Sequence, residues 1–318
     1  MRNPFTRAAA PERAVDMTVS VGSVELDAPL MCASGTAGHG AELAAYFDLA
    51  DTGAIVVKSL LHEPWAGNPA PRVHSTDAGM INSVGLQGPG VQGWIDHDLQ
   101  PLVDAGATIV ASIWGRSVAE YGTAAELLAP VADRLTALEV NVSCPNVEDR
   151  NNMFAHSPTA TRDALAATAS VGSLPRWAKL SPNIMDLVPI AEAAAEGGAE
   201  AVTVANTLIG LAIDPDTRRP RLGKGRGGLS GPAIRPVAVR AVNDVATALP
   251  ELPVIGCGGV AHGADALEFL LAGACAVQVG TATFADPRAV VRVRDEIEGW
   301  CRTNEIAAVR TLTGALEI

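Results

Sequence analysis

Residues 141–146 read NVSCPN, with a cysteine between a serine and a proline where a run of β-formers stops. A free thiol has a pKa of about 8.5 and can be poised between protonation states at neutral pH, so Cys144 is a candidate for proton transfer or nucleophilic attack. The five cysteines, Cys32, Cys144, Cys257, Cys275 and Cys301, occur singly without a CxxC pair. That spacing disfavours a disulfide framework or a structural metal. His39, His62, His74, His97, His156 and His262 lack metal-ligand spacing, and none stands where it would pair with Cys144. Cys32, Cys257 and Cys275 lie inside apolar runs and read as core filler.

Two lysines, Lys58 and Lys179, each close an otherwise apolar run. A single one would be an ordinary snorkelling side chain. Two on one rim would hold a carboxylate, or stabilise negative charge on a reduced cofactor ring. Asn82, Asn141, Asn146, Asn183 and Asn206 also fall at or just past strand ends. Each alone reads as a turn residue, but converging amides offer donors and acceptors to a flat polar ring such as a pyrimidine. Glycine segments come late: GKGRGGLSG (223–231), GCGGV (256–260) and GTATF (280–284). Backbone N–H groups in such turns cradle phosphate, which points to a phosphate-bearing cofactor.

These residues need a scaffold that brings strand ends together. Eight short apolar runs recur with helical segments between them: APLMCASG, AIVVKSL, TIVASIWG, ALEVNVSCPN, RWAKLSPN, AVTVANT, PVIGCGG and AVQVGTATF. Continuous apolar strands alternating with helices imply parallel pairing with both faces covered, and eight of them predict an α/β fold, a (β/α)8 TIM barrel. The alternating MTVSVGSVEL ahead of them predicts a short N-terminal β-hairpin. Asp186 ahead of LVPIAEAAAEGG, with Pro189 in the first turn and Gly197 at the end, marks one of the helices. Longer inserts follow the second, fourth and sixth strands, at 62–95, 145–160 and 207–231, and would form walls and lids on the active rim. No linker divides the chain. The expected organisation is a flexible tail over 1–16 and a single (β/α)8 barrel domain over 17–318, to which the resemblance given below adds FMN binding.

Composition narrows the function. The chain has 318 residues, 48% of them apolar and 4% aromatic, and a formal net charge of −12. That field repels nucleic acid and anionic membrane surfaces. With neither an apolar leader nor a long apolar run, the sequence reads as a soluble cytoplasmic protein.

NVSCPN with KLSPN, NSVGLQGPG (82–90) with VANTLIG (204–210), then GGLSGPAI and GCGGV, form a combination that resembles the class 1 dihydroorotate dehydrogenases from about Ser20 to Thr283. GLQ and GGLSGPAI look like the NAD-linked B-type catalytic subunit. The resemblance implies an FMN-dependent enzyme of de novo pyrimidine biosynthesis that oxidises dihydroorotate to orotate. Cys144 would be the base that removes the C5 proton while hydride passes from C6 to the flavin. Lys58, Asn82, Ser83, Val84, Gly85 and Leu86 would contact the pyrimidine, with Asn141, Asn146, Asn206 and Thr207. FMN would be held by Ser34, Lys58, Ser59, Ser112, Asn141, Lys179 and Ala205, and around its phosphate by Gly231, Gly258, Gly259, Gly280 and Thr281. No metal site is implied. The B-type also implies a second subunit carrying FAD and a [2Fe–2S] cluster; a homodimer and a heterotetramer both fit. Gly88 and Ser112 stand where the family usually has asparagine, and Trp114 is bulky for a rim that must admit a flat cofactor. A flavin enzyme for another dihydropyrimidine, or a flavin-binding subunit with little activity of its own, would use the same residues.

Overall fold

The computed structural model describes residues 14–146 and 152–317, with the side chains of Pro145 and Asn146 outside the description. Within the expected tail, residues 1–13 lie outside the described residues, and Asp16 bridges to Ala308 near the other end of the chain. A two-stranded antiparallel hairpin follows, Val19–Val21 with Val24–Leu26. Its alternating valines are buried while Ser20 and Glu25 face out, the period of a half-buried strand.

The eight predicted runs form eight parallel strands: β1 (Leu30–Cys32), β2 (Ala54–Val56), β3 (Ile109–Ile113), β4 (Ala137–Asn141), β5 (Arg176–Lys179), β6 (Ala201–Val204), β7 (Val254–Cys257) and β8 (Ala274–Val279). Each pairs with the next in chain order and β8 returns to β1, closing a (β/α)8 barrel. β4 and β5 pair so that Asn141 lies beside Lys179, and β5 and β6 so that Lys179 lies beside Thr203. Two lysine and asparagine side chains predicted from separate motifs are thereby set on one rim.

The covering helices start where the sequence supplies caps. Ser117 accepts a hydrogen bond from the Glu120 N–H at the head of Val118–Leu128, and Ser157 does the same ahead of Pro158–Ala167. Asp186 accepts from the Val188 N–H, and Val188–Glu196 ends at Gly197. Trp94, Trp177, Tyr121 and Phe154 are fully buried among the valines, leucines and alanines of the helix–strand interface. Each fully buried Leu, Val or Ile side chain contributes about 1.5–3 kcal/mol.

The inserts after β2 and β6 build one element over the barrel mouth. Val73–Thr76, Gly79–Asn82, Arg226–Ser230 and Leu208–Leu211 form a four-stranded antiparallel sheet, with Asn82 paired to Gly228. Segments far apart in sequence thus make a single wall. Among the described residues no helix is long and apolar enough to cross a membrane.

Candidate active site

A cavity of about 200 Å³ opens at the C-terminal ends of the strands, under that sheet. Ser34, Lys58, Ser59, Asn82, Val84 and Leu86 line it, with Asn141, Lys179, Ala205, Asn206 and Thr207, and at one side Gly258, Gly259, Gly280 and Thr281. These residues come from the ends of seven strands and the insert after β2. Met80, Ser230, Ile234, Cys257 and Phe284 also line it and carry no sequence signal of their own beyond proximity to the glycine turns.

The two lysines differ. Lys58 is mostly buried, its ammonium has no hydrogen bond or ion pair among the described residues, and burial pulls its pKa down. Gly35 keeps space beside it, since a Cβ there would stand 3.6 Å from the Lys58 ammonium. A desolvated, unpartnered cation facing a cavity is a ready partner for an anion. Lys179 is 5% exposed and donates to Gln278 Oε1 at 3.2 Å, with Glu139 Oε1 at 3.8 Å. Burial opposes its charge, but Glu139 and then Cys257 favour it, and the balance raises its pKa.

The amides converge. Asn141 donates to Ser59 Oγ at 3.3 Å and accepts from Asn206 Nδ2 at 3.4 Å, while its backbone carbonyl is held by the buried Tyr121 hydroxyl at 2.8 Å. Asn206 Oδ1 accepts from the Thr207 N–H at 2.8 Å. Asn82 lies opposite, in the overlying sheet, its amide 3.4 Å from the Gly228 carbonyl. Asn183 braces the wall, donating to the Thr207 carbonyl at 3.0 Å and accepting from the Ile209 N–H at 2.7 Å.

The fit to a phosphate-bearing ring cofactor rests on the turns after β7 and β8. The N–H groups of Gly258, Gly259, Gly280 and Thr281 have no hydrogen-bond partner among the described residues. Gly259 has φ +80°, and a Cβ there would lie 2.8 Å from both the Gly231 carbonyl oxygen and the Arg235 Cβ. The turn therefore exists only as glycine, and its unpartnered amides belong to residues that line the cavity. Thr281 Oγ1 donates to Ser230 Oγ at 2.8 Å, tying this turn to the overlying sheet. Free amides after β7 and β8, with two cations and an amide cluster lining the same cavity, match the donors that an anionic flavin nucleotide and a small polar ring require.

Other predicted residues stand behind the cavity. Ser112 is fully buried, bonded to Ser59 Oγ at 2.9 Å and to Glu139 Oε1 at 3.3 Å. Ser83 accepts from Asn68 Nδ2 at 2.9 Å, and the Gly85 carbonyl accepts from Trp65 Nε1 at 2.9 Å. Gly231, at φ +95°, packs against Gly79. At Gly88 a Cβ would come within 3.1 Å of His39 Nε2, so histidine takes the room that a larger residue would need. The side chain of Asn146 is outside the described residues.

Cys144 is 1% exposed and does not line the cavity. It forms a small apolar cluster with Leu61 and Trp114, against which Trp65 and Leu86 pack. Trp114 therefore packs beside the thiol and does not line the cavity. Trp65 meets Trp114 edge to face at 6.0 Å, and the Arg116 guanidinium lies 4.9 Å from the Trp65 ring. Burial drives the thiol pKa far above its ordinary value. All five cysteines are free.

A parallel barrel with free amides after its seventh and eighth strands, and cations and amides at its mouth, has the donor set of barrels whose active site lies at the C-terminal ends of the strands. Comparison with known proteins narrows the class. Residues 16–300 match the family described as Dihydroorotate dehydrogenase. The chain is 45% identical over 303 residues to the Dihydroorotate dehydrogenase B (NAD(+)), catalytic subunit, of Geobacter sp. (strain M21), covering 95% of this chain and 99% of that one. It is 45% identical over 303 residues to the protein of the same name from Citrifermentans bemidjiense and 44% identical to that from Alkaliphilus metalliredigens, with the same coverage. The chain belongs to the dihydroorotate dehydrogenase family.

Proposed function

We propose that this protein catalyses the FMN-dependent oxidation of (S)-dihydroorotate to orotate in pyrimidine biosynthesis. The observation that carries this reading is the convergence of Lys58, Lys179, Asn141 and Asn206 on one cavity that is also lined by the unpartnered amides of Gly258, Gly259 and Gly280. FMN, when bound, supplies the hydride acceptor.

The remaining work falls to the chain's own residues. The amides at Gly258, Gly259, Gly280 and Thr281 hold the phosphate, and Lys179 favours negative charge on the cofactor ring. Lys58 pairs with the substrate carboxylate. Asn82, Asn141 and Asn206 read the alternating N–H and C=O edge of the pyrimidine. Cys144 takes the C5 proton onto Sγ as hydride leaves C6, so both hydrogens depart and the C5–C6 double bond forms. For this the thiol must first lose its own proton, and Leu86 must yield the space between sulfur and cavity.

The relatives' name, a catalytic subunit of an NAD(+) enzyme, supports a partner subunit that carries electrons onward, and FAD with a [2Fe–2S] cluster is the relay we propose for it. An anaerobic visible spectrum of the purified chain tests the reaction directly. Addition of dihydroorotate should bleach the oxidised flavin band. A band that persists with dihydroorotate but bleaches with dihydrouracil would move the assignment to another dihydropyrimidine.

A further inference from the structure

The barrel interior beneath the cavity is polar, where barrels of this kind are ordinarily filled with branched apolar side chains. Glu139, on β4, is 0% exposed. Being two residues before Asn141 on one strand, it points to the same side, one step deeper. Its Oε2 accepts from Gln278 Nε2 at 2.8 Å and Thr203 Oγ1 at 3.2 Å, and its Oε1 from Ser112 Oγ at 3.3 Å. Gln278 in turn accepts from Lys179, so carboxylate and ammonium share one amide as well as facing each other at 3.8 Å. Ser112 continues the network through Ser59 to Asn141 at the cavity wall.

A carboxylate sealed from water is costly unless it does something an apolar side chain could not. Here the need is visible. Lys179 is buried, and a buried lysine without a counter-charge gives up its proton. The groups facing it are Glu139 from β4, Cys257 from β7 and the neutral Gln278 from β8, and Glu139 is the only carboxylate among them.

We infer that Glu139 is a positioning residue for the same reaction, holding Lys179 charged and aimed at the cavity from below. The inference concerns how Lys179 is maintained, and its use rests on the flavin reading above. Without Glu139 the lysine would meet an incoming neutral ring as a neutral amine, and would gain its proton only as the ring gained charge.

The test needs no flavin. The chain contains three lysines, Lys58, Lys179 and Lys224, so Nζ resonances of ¹⁵N-lysine-labelled, flavin-free protein can be assigned by Lys179→Gln and followed against pH. In Glu139→Gln the Lys179 midpoint should fall by about 1–3 pH units, the effect of losing an opposite charge at this separation. Glu139→Asp, which keeps the charge but draws it back, should give a smaller fall and serves if Glu139→Gln does not fold. A Lys179 midpoint unchanged in a folded variant overturns the inference. With FMN bound, the midpoint potential of Glu139→Gln should depend more steeply on pH than that of the native chain, a change that loss of packing alone would not produce. FMN fluorescence titration of the native chain is the separate check: failure to bind there removes the flavin reading, while the lysine titration still decides the role of Glu139.

Discussion

Leu86 meets the cavity and Cys144 at once, lining the first and packing against the cluster that encloses the second. Its backbone sits at φ +57°, a conformation that costs a non-glycine residue about 1–2 kcal/mol. The Trp65 indole holds it there through the Gly85 carbonyl. Thiol reagents should therefore label Cys144 slowly in the native chain. Trp65→Phe removes one hydrogen bond, worth about 0.5–1.5 kcal/mol, and should speed labelling roughly 2- to 10-fold. The measurement is a labelling time course with the modified cysteine mapped by mass spectrometry; an unchanged rate would separate Trp65 from the shielding of the thiol.

Cys144→Ser should leave FMN binding unchanged, because the thiol does not touch the cavity. Reduction of the bound flavin by dihydroorotate should slow by about 10²–10⁴, the usual worth of a positioned acid–base group. Stopped-flow absorbance under anaerobic conditions reads both quantities. Reduction at the native rate would take Cys144 out of the reaction.

The sign of the pH effect follows from burial. Burial raises the Cys144 pKa, so at neutral pH the thiol is protonated and its basic form is scarce. The rate of flavin reduction should therefore climb with pH, by about tenfold per unit while the thiol form dominates, and still be rising at about pH 8.5 where an ordinary cysteine would level off. A plateau reached below neutrality would mean that the thiol is already ionised in the substrate complex.

The barrel was legible because each strand is an apolar run closed by Gly, Ser, Asn or Lys, and Lys58, Lys179 and Asn141 sit at those closing positions. Cys144 was legible as a strand-end residue, but its burial was not. Its cover comes from Trp65 and Leu86 in the insert after β2 and from Trp114 just past β3, and no local pattern shows that they meet. The overlying sheet was hidden for the same reason, since Asn82 and Gly228 are 146 residues apart. Glu139 passes in ALEVN as a single polar residue, and only closure of the barrel sets it beneath Lys179.

Lys58 has no protein partner to lose, so Lys58→Met should fold normally while weakening substrate capture. A charge-assisted hydrogen bond contributes about 1.5–3 kcal/mol, which predicts a KM for dihydroorotate raised roughly 10- to 100-fold. In the native chain, burial lowers the Lys58 pKa, so its cation fades at a lower pH than that of a free lysine. KM should rise as pH climbs through that lowered value. Lys58→Met should flatten this dependence, and a KM profile identical to the native one would reassign the carboxylate to another partner.

Two glycine-to-alanine changes should move stability in opposite directions. Gly299 lies exposed in the helix Ala289–Thr303 with nothing within 4 Å of an added Cβ, so Gly299→Ala should stabilise the chain by about 0.5–1 kcal/mol through helix propensity alone. Gly259→Ala must place a Cβ 2.8 Å from a backbone oxygen at φ +80°. The left-handed conformation alone costs about 1–2 kcal/mol, and relieving the contact would turn the neighbouring amides away from the cavity. Gly259→Ala should therefore lower Tm and weaken FMN binding together, whereas Gly299→Ala raises Tm and leaves FMN affinity unchanged. Thermal unfolding with and without added FMN reads both, because a ligand bound only by the folded state raises Tm by an amount that grows with the logarithm of its affinity. If Gly259→Ala lowered Tm but kept the full FMN-induced rise, the amides of this turn would not be the phosphate's holders.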